Sequence, residues 1–165
     1  MALVVESGVG LSNAESYVSV AATDTRMVNL GNTLWATITT AQKEEALRRA
    51  TAYLGQAFRG RWVGSRINST QALDWPRNGV CVDGYSVLST IVPADIANAC
   101  ADLALKAAAG DLNADLSRGV VRRKIGPLET EYDRNSPQSK RYRSIDMALA
   151  PYIKGSSAMA MLVRA

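Results

Sequence analysis

The stretch TAQKEEALRRATAYLGQAF, residues 40–58, is the strongest helix-forming segment of the chain and the basis of the expected fold. Apolar side chains recur along it at helical spacing, which predicts one buried face. These side chains belong to Leu47, Ala50, Leu54 and Phe58. Thr40 is the expected N-cap, and Glu44 precedes Arg48 by four residues, which favours an ion pair on the exposed side. The segment therefore predicts a core helix with one charged side.

Three further helices are predicted around this segment, because capping residues and helix breakers bracket three other runs. The boundary residues are Ser19 and Gly31 for the first helix, Pro93 and Gly110 for the third, and Ser144 and Pro151 for a short fourth. The third run is rich in alanine, and its apolar stripe consists of Ile96, Cys100, Leu103 and Ala107. Alanine buries little area, so such helices must pack closely or be completed by neighbouring subunits. The expected fold class is mainly α, a small bundle of about four helices.

Residues 119–132, GVVRRKIGPLETEY, lie between the third and fourth helices and change to a period near two. This alternation predicts a β-hairpin or an extended arm that turns at Gly126-Pro127. The residues before the turn are Arg122, Arg123, Lys124 and Ile125, and those after it include Leu128, Glu129 and Glu131. We expect opposite charges to pair across the strands, and an exposed strand edge to invite pairing with another chain.

The chain beyond Gly155, SSAMAMLVRA, is an apolar tail without enough periodicity for a stable free helix. The expected organisation is therefore a helical domain over residues 1–154, which includes the arm, and a docking tail over residues 155–165. Methionines suit docking to irregular apolar grooves. The expected docking residues are Tyr152, Ile153, Met159, Met161, Leu162 and Val163.

The segment FRGRWVGSRINSTQALDWPR, residues 58–77, interleaves arginines with tryptophans. Such a mixture is typical of single-stranded nucleic-acid binding, because bases stack on the rings and phosphates meet the arginines. Aromatic residues make up only 6% of the chain, however, so the tryptophans are also needed to fill a core. We favour the structural interpretation, in which Trp75 packs on the bundle and Pro76 fixes the turn. Arg77 is then expected to brace the loop through Asp74 or a helix C-terminus. The expected loop anchors are Trp62, Gly64, Arg66, Asp74, Trp75, Pro76 and Arg77.

The net charge of +4 is concentrated in two segments. Residues 58–92 hold four basic and two acidic residues, and residues 120–144 hold seven basic and three acidic residues. Either segment can be an ordinary solvated surface, which we favour, or a surface that meets acidic protein or phosphate.

Catalytic and metal-binding patterns are poorly represented. The chain has no histidine, the commonest general base and metal ligand. The glycine-rich SGVGLS, residues 7–12, does not precede the helix that a phosphate-binding loop requires, and no serine lies in a nucleophile elbow. We expect no enzymatic activity, no cofactor and no bound metal.

Two cysteines, Cys81 and Cys100, are too few for a disulfide framework and are expected to be reduced thiols. No run approaches the ~20 apolar residues of a membrane span, and the first ten residues do not match a signal peptide. The expected product is soluble and intracellular, with no membrane partner.

The order of these motifs resembles that of the head–tail connector, or adaptor, proteins of tailed bacteriophages. The resemblance covers roughly Leu3 to Lys154, and its most specific parts are QALDWPR, the Trp62–Arg66 segment and IGPLETEY. Members of this family also carry the label of DnaT-like single-stranded-DNA-binding proteins.

The connector resemblance implies a structural protein of the virion neck, made in the cytoplasm of the host bacterium. It implies a homo-oligomeric ring, a dodecamer, which contacts the portal and a tail or neck protein while DNA passes non-specifically through the lumen. The arm would then lie against an adjacent subunit, and the tail would dock on the portal. The DnaT-like label implies the alternative, a replication protein that binds single-stranded DNA. We favour the connector, because alanine-rich helices that need neighbours to complete the core, an arm and an apolar tail suit assembly.

Overall fold

The computed structural model describes residues 2–117, 120–125, 128–132, 137 and 139–155. Within these ranges the chain forms four α-helices. They are α1 (Val20–Asn29), α2 (Thr40–Phe58), α3 (Ala94–Ala109) and α4 (Arg143–Leu149). Short 3-10 helices at Leu34–Thr37 and Ala150–Tyr152 follow α1 and α4. The prediction of a mainly helical fold is confirmed.

The strands described are short and pair into three antiparallel two-stranded sheets. β1 (Ser65–Arg66) pairs with β2 (Arg77–Asn78), β3 (Cys81–Val82) with β4 (Tyr85–Ser86), and β5 (Val120–Ile125) with β6 (Leu128–Tyr132). The first two sheets lie in the loop region between α2 and α3, where the sequence predicted turns and a tryptophan-containing loop.

The centre of the core is the contact between α2 and α3. Every residue of the two predicted stripes is buried, which confirms both faces. The small facing residues let the two helices approach closely, so that the Thr51 hydroxyl lies 3.3 Å from the Cys100 Sγ. Trp35, Trp62 and Trp75 are each at most 1% exposed. These rings supply the bulk that the alanines lack.

The N-terminus of α2 differs by one residue from the prediction. Thr39 is the N-cap, and its hydroxyl accepts a hydrogen bond from the Gln42 N–H while the Gln42 side chain accepts from the Thr39 N–H. Thr40 was therefore the wrong cap, because the reciprocal partner lies three residues after Thr39. The predicted pair between Glu44 and Arg48 is present at 3.6 Å.

The other helix ends agree in part with the sequence predictions. Ser19 caps α1 as predicted, and Gly31 follows it with φ +68, a left-handed conformation that favours glycine. Pro93, which the sequence predicts at the first helical position, is instead the N-cap of α3, because its ψ of 143 is not helical. Ser144, the predicted cap, lies inside α4. The helix begins earlier, because the carbonyl of Tyr142 already accepts hydrogen bonds from the N–H groups of Ile145 and Asp146.

Pro151 ends the α-helical part of the fourth helix as predicted. α4 stops at Leu149, and Pro151 lies in the 3-10 helix that follows. Proline lacks the N–H that a further α-helical turn would need.

The arm between α3 and α4 forms the predicted β-hairpin. Its register pairs basic with acidic positions, Arg122 with Glu131 and Lys124 with Glu129, with an irregularity between positions 120 and 122. Arg123 pairs with Thr130, and Ile125 with Leu128. The predicted turn residues Gly126 and Pro127, and the predicted docking residues Met159, Met161, Leu162 and Val163, lie outside the described residues.

Candidate nucleic-acid interface

The two tryptophans of the 58–77 segment belong to a buried chain of rings. The Trp75 ring meets Trp62 edge-on at 5.8 Å and Tyr152 edge-on at 5.5 Å, and Trp62 lies 5.6 Å from Phe58. This chain ties the loop to the end of α2 and to the 3-10 helix after α4. Neither indole presents a face to solvent, so neither can stack on a nucleotide in this conformation.

Arg77 braces the same loop from inside. Its guanidinium donates to the backbone carbonyls of Val63 at 2.8 Å, Gly64 at 2.7 Å and Asp74 at 3.2 Å. The partner at Asp74 is thus the carbonyl, while its carboxylate lies 3.7 Å from Arg59. Burial lowers the pKa of Arg77. The side chain is 7% exposed and is occupied in holding the loop.

The rest of the loop is also internally bonded. Pro76 follows a cis peptide bond, and the side chain of Gln71 donates to the carbonyls of Leu73 and Pro76. Arg66 donates to the carbonyls of Gln71 and Leu73. Gly64 has φ +72, and a Cβ there would collide with the carbonyl oxygen of Asn78 on β2. Two arginines of the segment, Arg66 and Arg77, therefore serve the loop itself.

The glycine-rich loop at residues 7–12 resembles an anion cradle, and the chain fills it with its own carboxylate. One oxygen of Glu6 accepts from the N–H groups of Gly8 and Gly10, both at 2.9 Å, and the other accepts from Leu11 at 2.8 Å. Glu6 is 4% exposed. This arrangement explains the glycines without a bound nucleotide.

The exposed arginines Arg61 and Arg141 meet in an open groove of about 400 Å³, which we call the basic groove. Its other lining residues are Asp146, Met147, Ala150, Ile153 and Gly155. The groove exists because the segment after α4 pairs with the segment after α2. Trp62 forms a bridge with Ile153, and the N–H of Lys154 donates to the carbonyl of Arg61 at 2.7 Å.

The charge of the basic groove is positive. Arg61 and Arg141 with the adjoining exposed Lys154 give three positive charges against one negative charge on Asp146. Arg141 Nε lies 2.7 Å from an oxygen of Asp146. Arg61 lies over the Phe58 ring, 5.1 Å from its centre. The apolar residues that line the groove are Met147, Ala150 and Ile153, which we call its apolar floor.

Three basic side chains outside the groove lining are paired with carboxylates. Arg26 binds Asp102 through two hydrogen bonds of 2.9 Å, and Lys43 binds Asp24 at 2.9 Å. Arg48 meets Glu15 at 3.0 Å.

Two predicted docking residues fall beside this groove with different environments. Ile153 lines the groove, whereas Tyr152 is 6% exposed and its hydroxyl donates to Asp95 at 2.8 Å. Burial raises the pKa of Tyr152 to about 12. Tyr152 is therefore a core residue and is not free to dock, because its ring closes the tryptophan chain.

The residues that line the groove were only partly identified from the sequence. Arg61 stood in the aromatic–basic segment, but Asp146 and Met147 carried no signal, because no local pattern links residues so distant in the chain. Within the described ranges, no group of three or more His, Cys, Asp or Glu side chains could hold a metal ion. No described helix is long and apolar enough to cross a membrane. Cys81 is exposed, Cys100 is buried, and both are free thiols.

Comparison with known proteins gives one match. A family model described as "Putative DnaT-like ssDNA binding protein" matches residues 1–165. No curated protein and no solved structure matches the chain. The match supports the DNA-binding label that accompanied the sequence resemblance and gives no support to the head–tail connector interpretation.

Proposed function

Because the chain belongs to the family of DnaT-like single-stranded-DNA-binding proteins, we propose that it binds single-stranded DNA through the basic groove. One observation supports the basic groove as the DNA-binding surface. Arg61 and Arg141 lie far apart in the sequence, yet they line one open groove with an apolar floor. The tryptophans that suggested DNA binding in the sequence are buried and cannot form the surface.

The chemistry of the groove suits the backbone of a single strand. Guanidinium groups bind phosphate oxygens through charge-assisted hydrogen bonds. The apolar floor of Met147, Ala150 and Ile153 gives the sugar and the faces of the bases a surface that replaces water. Paired bases of a duplex do not offer their faces to such a floor. The binding is therefore expected to prefer single strands and to be independent of sequence.

Neutralising either groove arginine is expected to weaken binding and to flatten its salt dependence. Arg61→Gln and Arg141→Gln each remove one phosphate contact, so the slope of log K against log salt should fall by about 0.7 for a single strand. Fluorescence anisotropy of a labelled oligothymidine over a salt series measures both quantities. Arg49→Gln, an exposed arginine of α2 outside the groove lining, is the matched control. Equal losses in all three variants would mean that net charge, and not the groove, governs binding.

The head–tail connector is a second candidate, favoured by exposed apolar side chains near the end of α1. Leu30 and Leu34 are 61% and 70% exposed, and each shares a surface depression with Leu105 of α3. In a ring, such a face would be covered by a second copy, while the β5–β6 hairpin would lie against a neighbour and residues 155–165 would dock on the portal. The ring, its copy number and a place in the virion neck belong to this candidate alone.

The second candidate makes its own prediction. Light scattering over a concentration series should show assemblies of the wild-type chain that Leu34→Glu abolishes, because a buried charge is costly at an apolar contact. Leu88→Glu, at a leucine 66% exposed outside these depressions, is the control and should assemble normally. A wild-type chain that stays monomeric at all concentrations would exclude the ring formed by the isolated protein.

A further inference from the structure

One of the residues that line the basic groove, Asp146, is negatively charged. We infer that Asp146 holds Arg141 in the free protein and that a phosphate of single-stranded DNA displaces it, so that Asp146 limits the affinity of the groove. This inference rests on the proposed function, because it assigns a competitor to the same site.

The geometry distinguishes the two partners. Arg141 Nε lies 2.7 Å from Asp146, but the arginine side chain is 79% exposed and the aspartate side chain 21% exposed. Asp146 lies in the first turn of α4, where its N–H donates to the carbonyl of Tyr142 at 3.0 Å. Arg141 precedes the helix. The helix thus fixes the backbone of Asp146, while the Arg141 side chain lies before the helix and is largely exposed to solvent.

Breaking the ion pair between Arg141 and Asp146 costs little free energy. Exposed ion pairs are screened by water and salt, so they hold their partners weakly. A phosphate that takes Arg141 still has the Asp146 carboxylate beside it, because both residues line the groove. Like charges at such distances repel. Asp146 therefore opposes DNA twice, first by occupying the arginine and then by repelling the phosphate.

Removing the charge of Asp146 tests the inference, because the affinity for DNA should then increase. The lining residues carry two positive charges and one negative charge, a net +1, and Asp146→Asn changes that to +2. We expect oligothymidine to bind Asp146→Asn about fivefold or more tightly at low salt. Because Arg141 contacts the phosphate in both proteins, we expect the slope of log K against log salt to change by less than about 0.7, the value for one phosphate contact. Asp102→Asn is the control, because it also frees an arginine from an ion pair, here a half-buried one, but does not line the groove.

A double variant identifies the arginine involved. In the Arg141→Gln background, Asp146→Asn should increase affinity much less than it does in the wild type, because the arginine that it frees is absent. If Asp146→Asn unfolds, Asp146→Ser keeps a hydrogen-bonding side chain in the first turn and replaces it in the same cycle.

Three results overturn the inference: an unchanged or lower affinity of the folded Asp146 variant, an equal gain in Asp102→Asn, or an undiminished gain without Arg141. These results concern the competitor at the site, and the proposed function has a test of its own. That proposal fails separately, if Arg61→Gln and Arg141→Gln bind oligothymidine as tightly as the wild type does.

Discussion

Replacing Trp75 with alanine is expected to lower the free energy of unfolding by about 3–5 kcal/mol, the range for a buried tryptophan. The side chain is fully buried and meets two other rings edge-on, Trp62 at 5.8 Å and Tyr152 at 5.5 Å. Its loss leaves a cavity where α2, the loop and the segment after α4 meet. Urea denaturation followed by circular dichroism measures the change.

Tyr85→Ala is the control for this experiment, because Tyr85 is 80% exposed on β4 and its loss should change stability by no more than about 0.5 kcal/mol. The folded fraction of Trp75→Ala should bind oligothymidine as the wild type does, since the ring presents no face to solvent. A loss below about 1 kcal/mol together with weaker DNA binding would show that Trp75 serves the ligand and not the core.

The sequence predicted the helices and their buried faces, because both depend on local periodicity. The stripe from Leu47 to Phe58 and the stripe from Ile96 to Ala107 are spaced along single helices, and each is buried as expected. The burial of Trp75 followed from a different argument, the scarcity of aromatic residues in a chain of this size. The misplaced cap at Thr40 shows the limit of local signals, since two adjacent threonines offer the same side chain.

The basic groove could not be predicted, because a non-local contact creates it. The bridge between Trp62 and Ile153 brings the end of α2 against the end of the chain's fourth helix. Nothing in the residues near Arg61 specifies Arg141 as its neighbour. The same reasoning explains Tyr152, which the sequence placed among the docking residues and the structure places in the core. Its partner Trp75 lies in a loop that precedes α3, and no pattern links the two.

The glycine-rich loop did carry a usable signal. An acidic residue stands directly before SGVGLS, and a carboxylate so close to several free N–H groups is able to bind them itself. Gly8 has φ +103, and a Cβ there would collide with the carbonyl oxygen of Thr90. The loop therefore requires glycine for close packing on the segment before α3, and Glu6 for its N–H groups.

Glu6→Ala is expected to destabilise the fold by about 4 kcal/mol, because it removes three charge-assisted hydrogen bonds and leaves buried N–H groups without an acceptor. The buried groups belong to Gly8 and Gly10, and the half-buried N–H of Leu11 also loses its acceptor. Glu6→Gln should cost about half as much, since its carbonyl oxygen can still accept the two glycine N–H groups. Glu45→Ala, at an exposed acid of α2, is the control and should stay within about 0.5 kcal/mol.

Added sulfate gives the experiment a second readout. The vacated loop in Glu6→Ala would present three N–H groups to an anion, so sulfate should stabilise this variant more than it stabilises the wild type. Sulfate also strengthens apolar burial in every protein, and the wild-type chain at the same concentrations measures that general effect. An equal response of the two proteins would show that the loop rearranges once its carboxylate is lost. A selective response would show that the loop keeps its three converging N–H groups without Glu6, and that the Glu6 carboxylate occupies an anion-binding loop.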